Sequence, residues 1–184
     1  MKNNSVKRLV MCGIFAALIG VGAFIQIPIP LIPLSLQDLF VMLAGIMLGA
    51  RYGALSVVIY LVIGLLGFPV FTRGGGITYV LQPTFGFMIG FIPGAYLTGT
   101  IANREERPGF KRLFLACMAG IAVIYFFGTV YLYLLNRFYL GNSIAVCPMI
   151  LACDIQPLPG DIVKSIIAAK VGEQLLPMVR KGVL

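Results

Sequence analysis

Residues 39–72 read LFVMLAGIMLGARYGALSVVIYLVIGLLGFPVFT, a run of 34 residues in which Arg51 is the only charge. A single helix of this length would measure near 50 Å at about 1.5 Å per residue, whereas a bilayer core is about 30 Å thick. We therefore predict that Arg51-Tyr52-Gly53 divides the run into two short membrane spans, at residues 39–50 and 54–66. The run makes the chain a polytopic membrane protein.

The composition supports the same class. Of the 184 residues, 60% are hydrophobic and 11% are charged, whereas soluble domains average about 25% charged residues. Four further apolar runs predict spans at residues 9–25, 83–101, 113–135 and 160–179, and no linker divides the chain. We expect an all-α membrane protein with six transmembrane helices in a single domain, residues 1–184.

The placement of the basic residues predicts the orientation. With an even number of spans both termini lie on one side, and cytoplasmic loops carry the excess of Lys and Arg. The terminal side holds ten of them: Lys2, Lys7, Arg8, Arg51, Arg104, Arg107, Lys111, Arg112, Arg180 and Lys181. The opposite loops hold only Arg73 and Arg137, so both termini are predicted to be cytoplasmic.

Residue types that are absent exclude several functions. The chain has no histidine, which excludes Ser-His-Asp and Cys-His nucleophilic sites and HExxH zinc sites. It has no GxxxxGK[ST] motif, so any ATP hydrolysis would reside in another subunit. The net charge of +8 is explained by basic loops beside membrane spans rather than by nucleic-acid binding. No metal or cofactor is expected. Cys147 and Cys153 lie in an outer loop, where they form either a disulfide or two buried thiols.

With this orientation, the outer loops and span ends contain the candidate binding residues. Asp161 and Lys164 are one helical turn apart on the last span, and ionisable residues in a span are functional candidates by default. The alternative is a structural ion pair at a helix end. In the loop 67–82, Arg73 precedes the flexible triplet Gly74-Gly75-Gly76, which allows a backbone to approach a ligand closely. Arg73 is either an anion clamp or a solvated charge.

Polar and aromatic residues at the borders of the outer loops extend this set. Gln37 and Gln82 can both donate and accept hydrogen bonds, as a polar uncharged ligand requires, or they serve in capping and loop structure. Tyr79, Phe85 and Phe87 either stack on a ligand ring or belong to interfacial packing.

Small residues at every fourth position predict close helix packing. The longest series comprises Gly86, Gly90, Gly94 and Thr98, and the first span contains the pairs Gly13/Ala17 and Ala16/Gly20. Most of these positions are expected to pack helices within the protein. One stripe is expected to remain free for a partner subunit.

Four stretches resemble a known family, the BioY proteins, which are the biotin-binding S components of energy-coupling factor (ECF) transporters. The stretches are Gly67-Phe68-Pro69-Val70-Phe71, the glycine run with Gly75 and Tyr79, residues 82–91 (QPTFGFMIGF), and residues 158–164 (LPGDIVK). Span number and loop placement are similar along nearly the whole chain, although residues 111–152 add little beyond length.

The resemblance implies an S-component-like bundle in the plasma membrane of a prokaryote. Such a subunit captures biotin from outside and docks through its first helix to a transmembrane coupling subunit, and two ATPase subunits complete the complex. The face formed by Ala16, Ala17 and Gly20 is similar in kind to the family's docking motif. The resemblance thus implies a transporter subunit and no enzyme.

The family motif also implies roles for individual residues. Its Asp and Lys fall on Asp161 and Lys164, where they would answer the N–H groups and the carbonyl of the ureido ring of biotin. Some members carry an arginine in the fourth span for the ligand carboxylate, where this chain has Met88. We therefore expect Arg73 to bind the carboxylate.

Other functions remain open at this point. Another small vitamin fits the residue pattern equally well, and a membrane enzyme has few catalytic groups available, with only six acidic residues. A channel or scaffold would have polar residues along several spans rather than at one end.

Overall fold

Five α-helices make up most of the structure, a computed structural model that describes residues 2–27, 34–139 and 149–180. They are α1 (Lys2–Phe24), α2 (Gln37–Leu65), α3 (Phe85–Ala102), α4 (Phe110–Phe138) and α5 (Leu158–Arg180). Two short strands, β1 (Gln26–Ile27) and β2 (Leu34–Ser35), pair antiparallel, and the connections contain a 3-10 helix (Ile77–Leu81) and a π-helical turn (Leu151–Ile155). Apart from the N-terminal extension of α1, the bounds of α1, α3, α4 and α5 lie within three residues of the predicted spans.

Helix α2 reverses direction at Gly49. This residue has φ 80° and ψ 178°, a backbone conformation that glycine adopts far more readily than other residues. Residues 37–48 and 50–65 form two arms that pack against each other. The approach is close, since a Cβ on Gly53 would lie only 2.8 Å from the Cα of Gly45. The break predicted at residues 51–53 therefore lies at Gly49 instead. The described residues form five helices rather than six, and α2 accounts for the difference.

Four of the helices have the length and hydropathy of membrane spans: Val6–Phe24, Gln37–Leu65, Phe85–Ala102 and Phe110–Phe138. Helix α5, the least hydrophobic predicted span, is absent from this group within the described residues. Large apolar side chains point away from the bundle, including Leu115 and Phe126, each 64% exposed. Exposed apolar surface on this scale is typical of a protein that faces lipid.

Arg8, Arg51 and the charged loop at residues 103–110 lie at the end of the bundle that contains Gly49, which we call the Gly49 end. The Arg8 guanidinium lies 5.3 Å from the centre of the Tyr52 ring. The Asn103 side-chain amide, at the end of α3, donates to the Ile46 carbonyl at 3.1 Å. The loop from residue 103 to residue 110, with its cluster of charges, therefore lies at the same end as the start of α1 and the reversal of α2.

Glycines allow α3 and α4 to pack closely. A Cβ on Gly86 would lie 2.2 Å from the Cβ of Tyr131, and a Cβ on Gly90 would lie 2.9 Å from the carbonyl oxygen of Ile124. Thr98, which continues this stripe, donates to the Ala116 carbonyl at 3.2 Å. The expectation that most small-residue stripes serve internal packing is confirmed for this stripe.

Candidate functional site

A buried ionic cluster joins the first turns of α2 and α5. The Lys164 Nζ atom lies 2.5 Å from Asp161 Oδ1 and 2.7 Å from Asp38 Oδ2. It donates hydrogen bonds to Asp38 Oδ1 at 2.7 Å and to the Ser35 carbonyl at 2.9 Å. The three charged residues are between 5% and 9% exposed. Lys164 therefore makes two hydrogen bonds and is in ion-pair contact with both carboxylates.

The cluster has more acceptors than donors, because two carboxylates face one ammonium group. Asp38 Oδ2 and Asp161 Oδ1 are within ion-pair distance of Lys164, yet neither has a hydrogen-bond donor among the described residues. A buried acceptor that lacks a hydrogen bond favours a ligand that can donate one. Two such oxygens in one cluster suit a ligand that brings two N–H groups.

Local structure explains where the carboxylates lie. Asp38 and Asp161 each occupy the first turn of a helix, where the helix dipole stabilises a negative charge. Asp161 and Lys164 are three residues apart in α5 and so share one face of that helix. Tyr125 of α4 donates its hydroxyl proton to Asp161 Oδ2. Asp161 therefore holds α4 with one oxygen and presents the other beside Lys164.

A cavity of about 640 Å³, including its open mouth, lies over this cluster, and Asp38, Tyr125, Asp161 and Lys164 line it. Ligand pockets are mostly apolar and contain a few polar groups that fix the orientation of the ligand. The apolar wall comes mainly from two helices: Phe87, Met88 and Phe91 of α3, and Ile121 and Ile124 of α4. The site therefore combines an ionic floor with an apolar wall, and a small amphipathic molecule matches it.

Gln37 lines the same cavity and connects it to an outer loop. Its side-chain amide donates to the Tyr60 hydroxyl at 2.6 Å, and that hydroxyl donates to the Val70 carbonyl at 3.2 Å. The Ser35 hydroxyl contacts Gln37 Oε1 at 3.3 Å. Gln37 thus joins β2, both arms of α2 and the loop after α2.

Five of the predicted binding residues lie off the cavity wall. Arg73 is exposed, and Gln82 is half-buried in the loop before α3. Phe85 packs against the Tyr131 ring at 6.0 Å. A Cβ on Gly75 would lie 2.1 Å from the Phe68 carbonyl oxygen, so glycine is required there by packing within the loop.

Tyr79, the fifth of these predicted binding residues, lies behind the side chains that line the cavity. It is 4% exposed, and its hydroxyl contacts the Thr72 hydroxyl at 2.8 Å and the Thr84 hydroxyl at 3.4 Å. Thr72 and Thr84 themselves line the cavity. The Tyr79 ring packs on Phe71, with centroids 4.6 Å apart, so the residue orders the wall and does not offer its ring face to the cavity.

Sequence reasoning missed several residues that line the site. Asp38 has a usable signal, since an ionisable residue at the start of an apolar span is a functional candidate by default. Tyr125, Thr72 and Thr84 have no comparable signal, because neither spacing nor composition shows that they meet Asp161 or Tyr79. Of the two cysteines for which a disulfide or two buried thiols were left open, Cys147 lies outside the described residues and Cys153 is buried in the cavity wall.

The proposed docking face of α1 requires a correction. Ala16 and Gly20 are buried, and a Cβ on Gly20 would contact the Tyr60 ring at 3.8 Å. These two positions pack α1 against α2, because small residues allow close approach. Ala17 is exposed, as is Gly13 one turn earlier. The exposed small-residue stripe of α1 is therefore Gly13/Ala17.

Known proteins similar to this chain share its length and fold. The "Probable biotin transporter BioY" of Lysinibacillus sphaericus is 43% identical over 99% of this chain and 93% of its own. The "Biotin transporter BioY" of Thermotoga maritima is 35% identical over 92% of this chain and 96% of its own. A crystal structure of the S-component for biotin from an ECF-type ABC transporter superposes with a TM-score of 0.79 at 27% identity, covering 95% of this chain and 93% of that one.

The family assignment rests on the whole chain. The profile of the BioY family matches residues 1–181, which include every helix, the ionic cluster and the cavity wall. The chain belongs to the BioY family.

Proposed function

We propose that this protein is a biotin-binding membrane subunit that captures biotin outside the cell and delivers it inward with an ATP-driven ECF module. The observation that carries the proposal is the pair of buried acceptors, Asp38 Oδ2 and Asp161 Oδ1, held beside Lys164 in a largely apolar cavity. The ureido ring of biotin has two N–H donors, and its hydrocarbon parts match the apolar wall. Names of similar proteins support the same ligand.

The ionic cluster would bind the ligand through acceptors that are already in position. Lys164 keeps both carboxylates in place through contacts of 2.5–2.7 Å, so the acceptors need little rearrangement when a ligand arrives. The ureido N–H groups would donate to the two aspartates, and the ring carbonyl would face the ammonium group. Gln37, held by Tyr60 at 2.6 Å, would add a polar contact at the edge of this region.

The predicted residues off the cavity wall would have supporting roles. Arg73 follows Thr72, which lines the cavity, so its exposed cation would attract the ligand's carboxylate towards the mouth. Gly75, Tyr79, Gln82 and Phe85 would shape the loop and the start of α3 around the site.

For the topology, we propose six membrane crossings with both termini in the cytoplasm: α1, the two arms of α2, α3, α4 and α5. The gathering of basic side chains at the Gly49 end supports this orientation. Single cysteines at Lys2 and Arg104, in a background in which the four native cysteines are replaced, should react with an impermeant maleimide only after the membrane is opened. A cysteine at Arg73 should react in intact cells, and the reverse pattern would contradict the orientation.

For the partners, we propose a transmembrane coupling subunit that contacts α1, together with two ATPase subunits. Gly13 and Ala17 offer an exposed stripe, and a Cβ on Gly13 would meet no atom within 4 Å. An Ala17→Trp variant should lose assembly or uptake while it retains ligand binding. Loss of binding in this variant would contradict a docking role, and Leu115→Trp, on the exposed face of α4, is the matched control.

The test of the function is equilibrium binding of labelled biotin to the purified protein in detergent. Saturable binding that unlabelled biotin displaces, and that thiamine and riboflavin do not displace, is the expected result. Displacement by another vitamin would assign the site to that ligand, and the absence of saturable binding would refute the proposal.

A further inference from the structure

Three hydroxyl groups form a second polar region on the cavity wall. The Tyr79 hydroxyl contacts the Thr72 hydroxyl at 2.8 Å and the Thr84 hydroxyl at 3.4 Å. Thr84 is 9% exposed and Tyr79 is 4% exposed, and both threonines line the cavity. The region therefore combines two threonines that face the cavity with a tyrosine that holds them from behind.

The three hydroxyls have one proton more than their mutual contacts use. Each hydroxyl group can donate one proton, and the two contacts consume two of the three. If Tyr79 donates to one threonine and accepts from the other, the first threonine still has its own proton to donate. An acceptor in the cavity would complete the network, because a buried donor without a partner costs free energy.

The hydroxyl region lies towards one end of the cavity wall. Thr84 comes immediately before α3, and Met88 and Phe91 follow on the same helical face at spacings of four and three residues. The ionic cluster reaches this wall through Tyr125, which donates to Asp161 and packs on Phe87 with ring centroids 6.4 Å apart. Apolar side chains thus lie along α3 beyond the hydroxyl region.

We infer that Thr72 and Thr84 form the subsite for the carboxylate end of the ligand, with Tyr79 as a positioning residue. The inference rests on the proposed function, since it concerns the end of the ligand opposite the ureido ring. The two threonine oxygens are no more than about 6 Å apart, because both contact the same tyrosine oxygen at 2.8 and 3.4 Å. With a carboxylate bound, Tyr79 would donate to Thr72, and both threonines would donate to the ligand, so that Thr84 exchanges its 3.4 Å contact with Tyr79 for a hydrogen bond of about 2.5–3.0 Å to the carboxylate.

Neither Arg73 nor Met88 provides an alternative binding position for the carboxylate inside the cavity. Arg73 is exposed and does not line the wall, so it is placed to attract an anion and not to enclose it. Met88 lines the wall but has no donor to offer an anion. Asp38 and Asp161 repel a carboxylate, which favours the hydroxyl region for the negative end.

The test compares two ligands against a small set of variants. The ligands are biotin and an analogue whose carboxyl group is replaced by a methyl group, and dissociation constants are measured in detergent. Thr72→Val and Thr84→Val remove one hydroxyl each with little change in shape, and Thr84→Ser restores the hydroxyl. Tyr79→Phe tests the positioning role, and Thr100→Val is the control, because Thr100 donates at 2.8 Å to the Tyr96 carbonyl of its own helix.

The expected result is a loss that depends on the ligand. Each valine variant should weaken biotin binding about 10-fold or more and change binding of the methyl analogue by less than about threefold. Thr84→Ser should recover most of the biotin affinity, and Tyr79→Phe should show a smaller loss that is again confined to biotin. A purely structural role would weaken both ligands equally.

Three outcomes would overturn the subsite. They are equal losses for both ligands, no loss with either valine variant, and a carboxylate-specific loss found in Arg73→Gln alone. If the wild-type protein binds biotin and the methyl analogue equally well, the subsite fails while the proposed function stands. If it binds neither ligand, the proposed function fails and the subsite fails with it.

Discussion

Asp38 Oδ1 accepts a hydrogen bond from Lys164 Nζ at 2.7 Å, although 126 residues separate the two in the chain. The contact joins the start of α2 to the start of α5, and Asp161 completes it from the same turn as Lys164. One ammonium group therefore neutralises part of the charge of two buried carboxylates. Removing the cation should be more costly than removing either anion.

We predict that Lys164→Met lowers the free energy of unfolding by about 3–5 kcal/mol, since it leaves two carboxylates buried without a counter-charge. Asp38→Asn should cost less, because Lys164 still pairs with Asp161 at 2.5 Å. Thermal unfolding in detergent measures the order of the two variants. Lys170→Met, at an exposed position of α5, is the control, and equal destabilisation by Asp38→Asn and Lys164→Met would contradict the charge argument.

Asp161→Asn should weaken biotin binding by about 1.5–3 kcal/mol, which corresponds to roughly 10- to 150-fold in the dissociation constant. The asparagine keeps the shape of the side chain but accepts hydrogen bonds more weakly and loses the negative charge. Titration calorimetry or labelled-ligand binding gives the constant. Asp154→Asn is the matched control, because Asp154 accepts from Thr129 at 2.8 Å and does not line the cavity. An unchanged affinity for Asp161→Asn would remove this residue from the site.

Gly49→Ala should destabilise the protein by about 1–3 kcal/mol through backbone strain alone. The nearest atom to a Cβ at this position is Asn103 Nδ2 at 3.9 Å, so there is room for the methyl group and the positive φ of 80° is the obstacle. Gly13→Ala in α1 has equal room without the positive φ and should be neutral or stabilising by up to about 1 kcal/mol. Thermal unfolding of the two variants separates strain from crowding, and equal effects would argue against strain at the reversal.

The π-helical turn before α5 predicts a pH effect. Burial raises the pKa of Asp154 above its ordinary value of 3.8, against a weaker lowering by the Thr129 hydroxyl. Because the folded state holds this proton more tightly, the stability from Asp154 is full below about pH 4 and is lost as the pH rises through the folded pKa. The difference in stability between wild type and Asp154→Asn should therefore shift in favour of the variant as the pH rises above about 4. A shift in the opposite direction would mean that the hydrogen bonds from Thr129 outweigh burial.

Local patterns predicted the features that depend on neighbours in the chain. Hydropathy and length identify the membrane spans, because burying an apolar helix in lipid requires no knowledge of its neighbours. The same reasoning requires a break in residues 39–72, and the position of the break at Gly49 follows from backbone conformation, which hydropathy does not report. Asp161 and Lys164 share a face because the helical period alone places them together.

Contacts between distant elements decided the rest. Periodicity shows which residues share a face but not which element that face meets, so Ala16 and Gly20 were assigned to a partner although they pack against α2. For the same reason the sequence left open whether Tyr79 stacks on a ligand or belongs to interfacial packing, and the structure shows its hydroxyl in contact with Thr72 and Thr84. By itself, the sequence determined a helical membrane protein with an Asp161–Lys164 pair. Only the tertiary structure decided that Asp38 and Tyr125 complete the site, because their contacts form when three separate helices pack together.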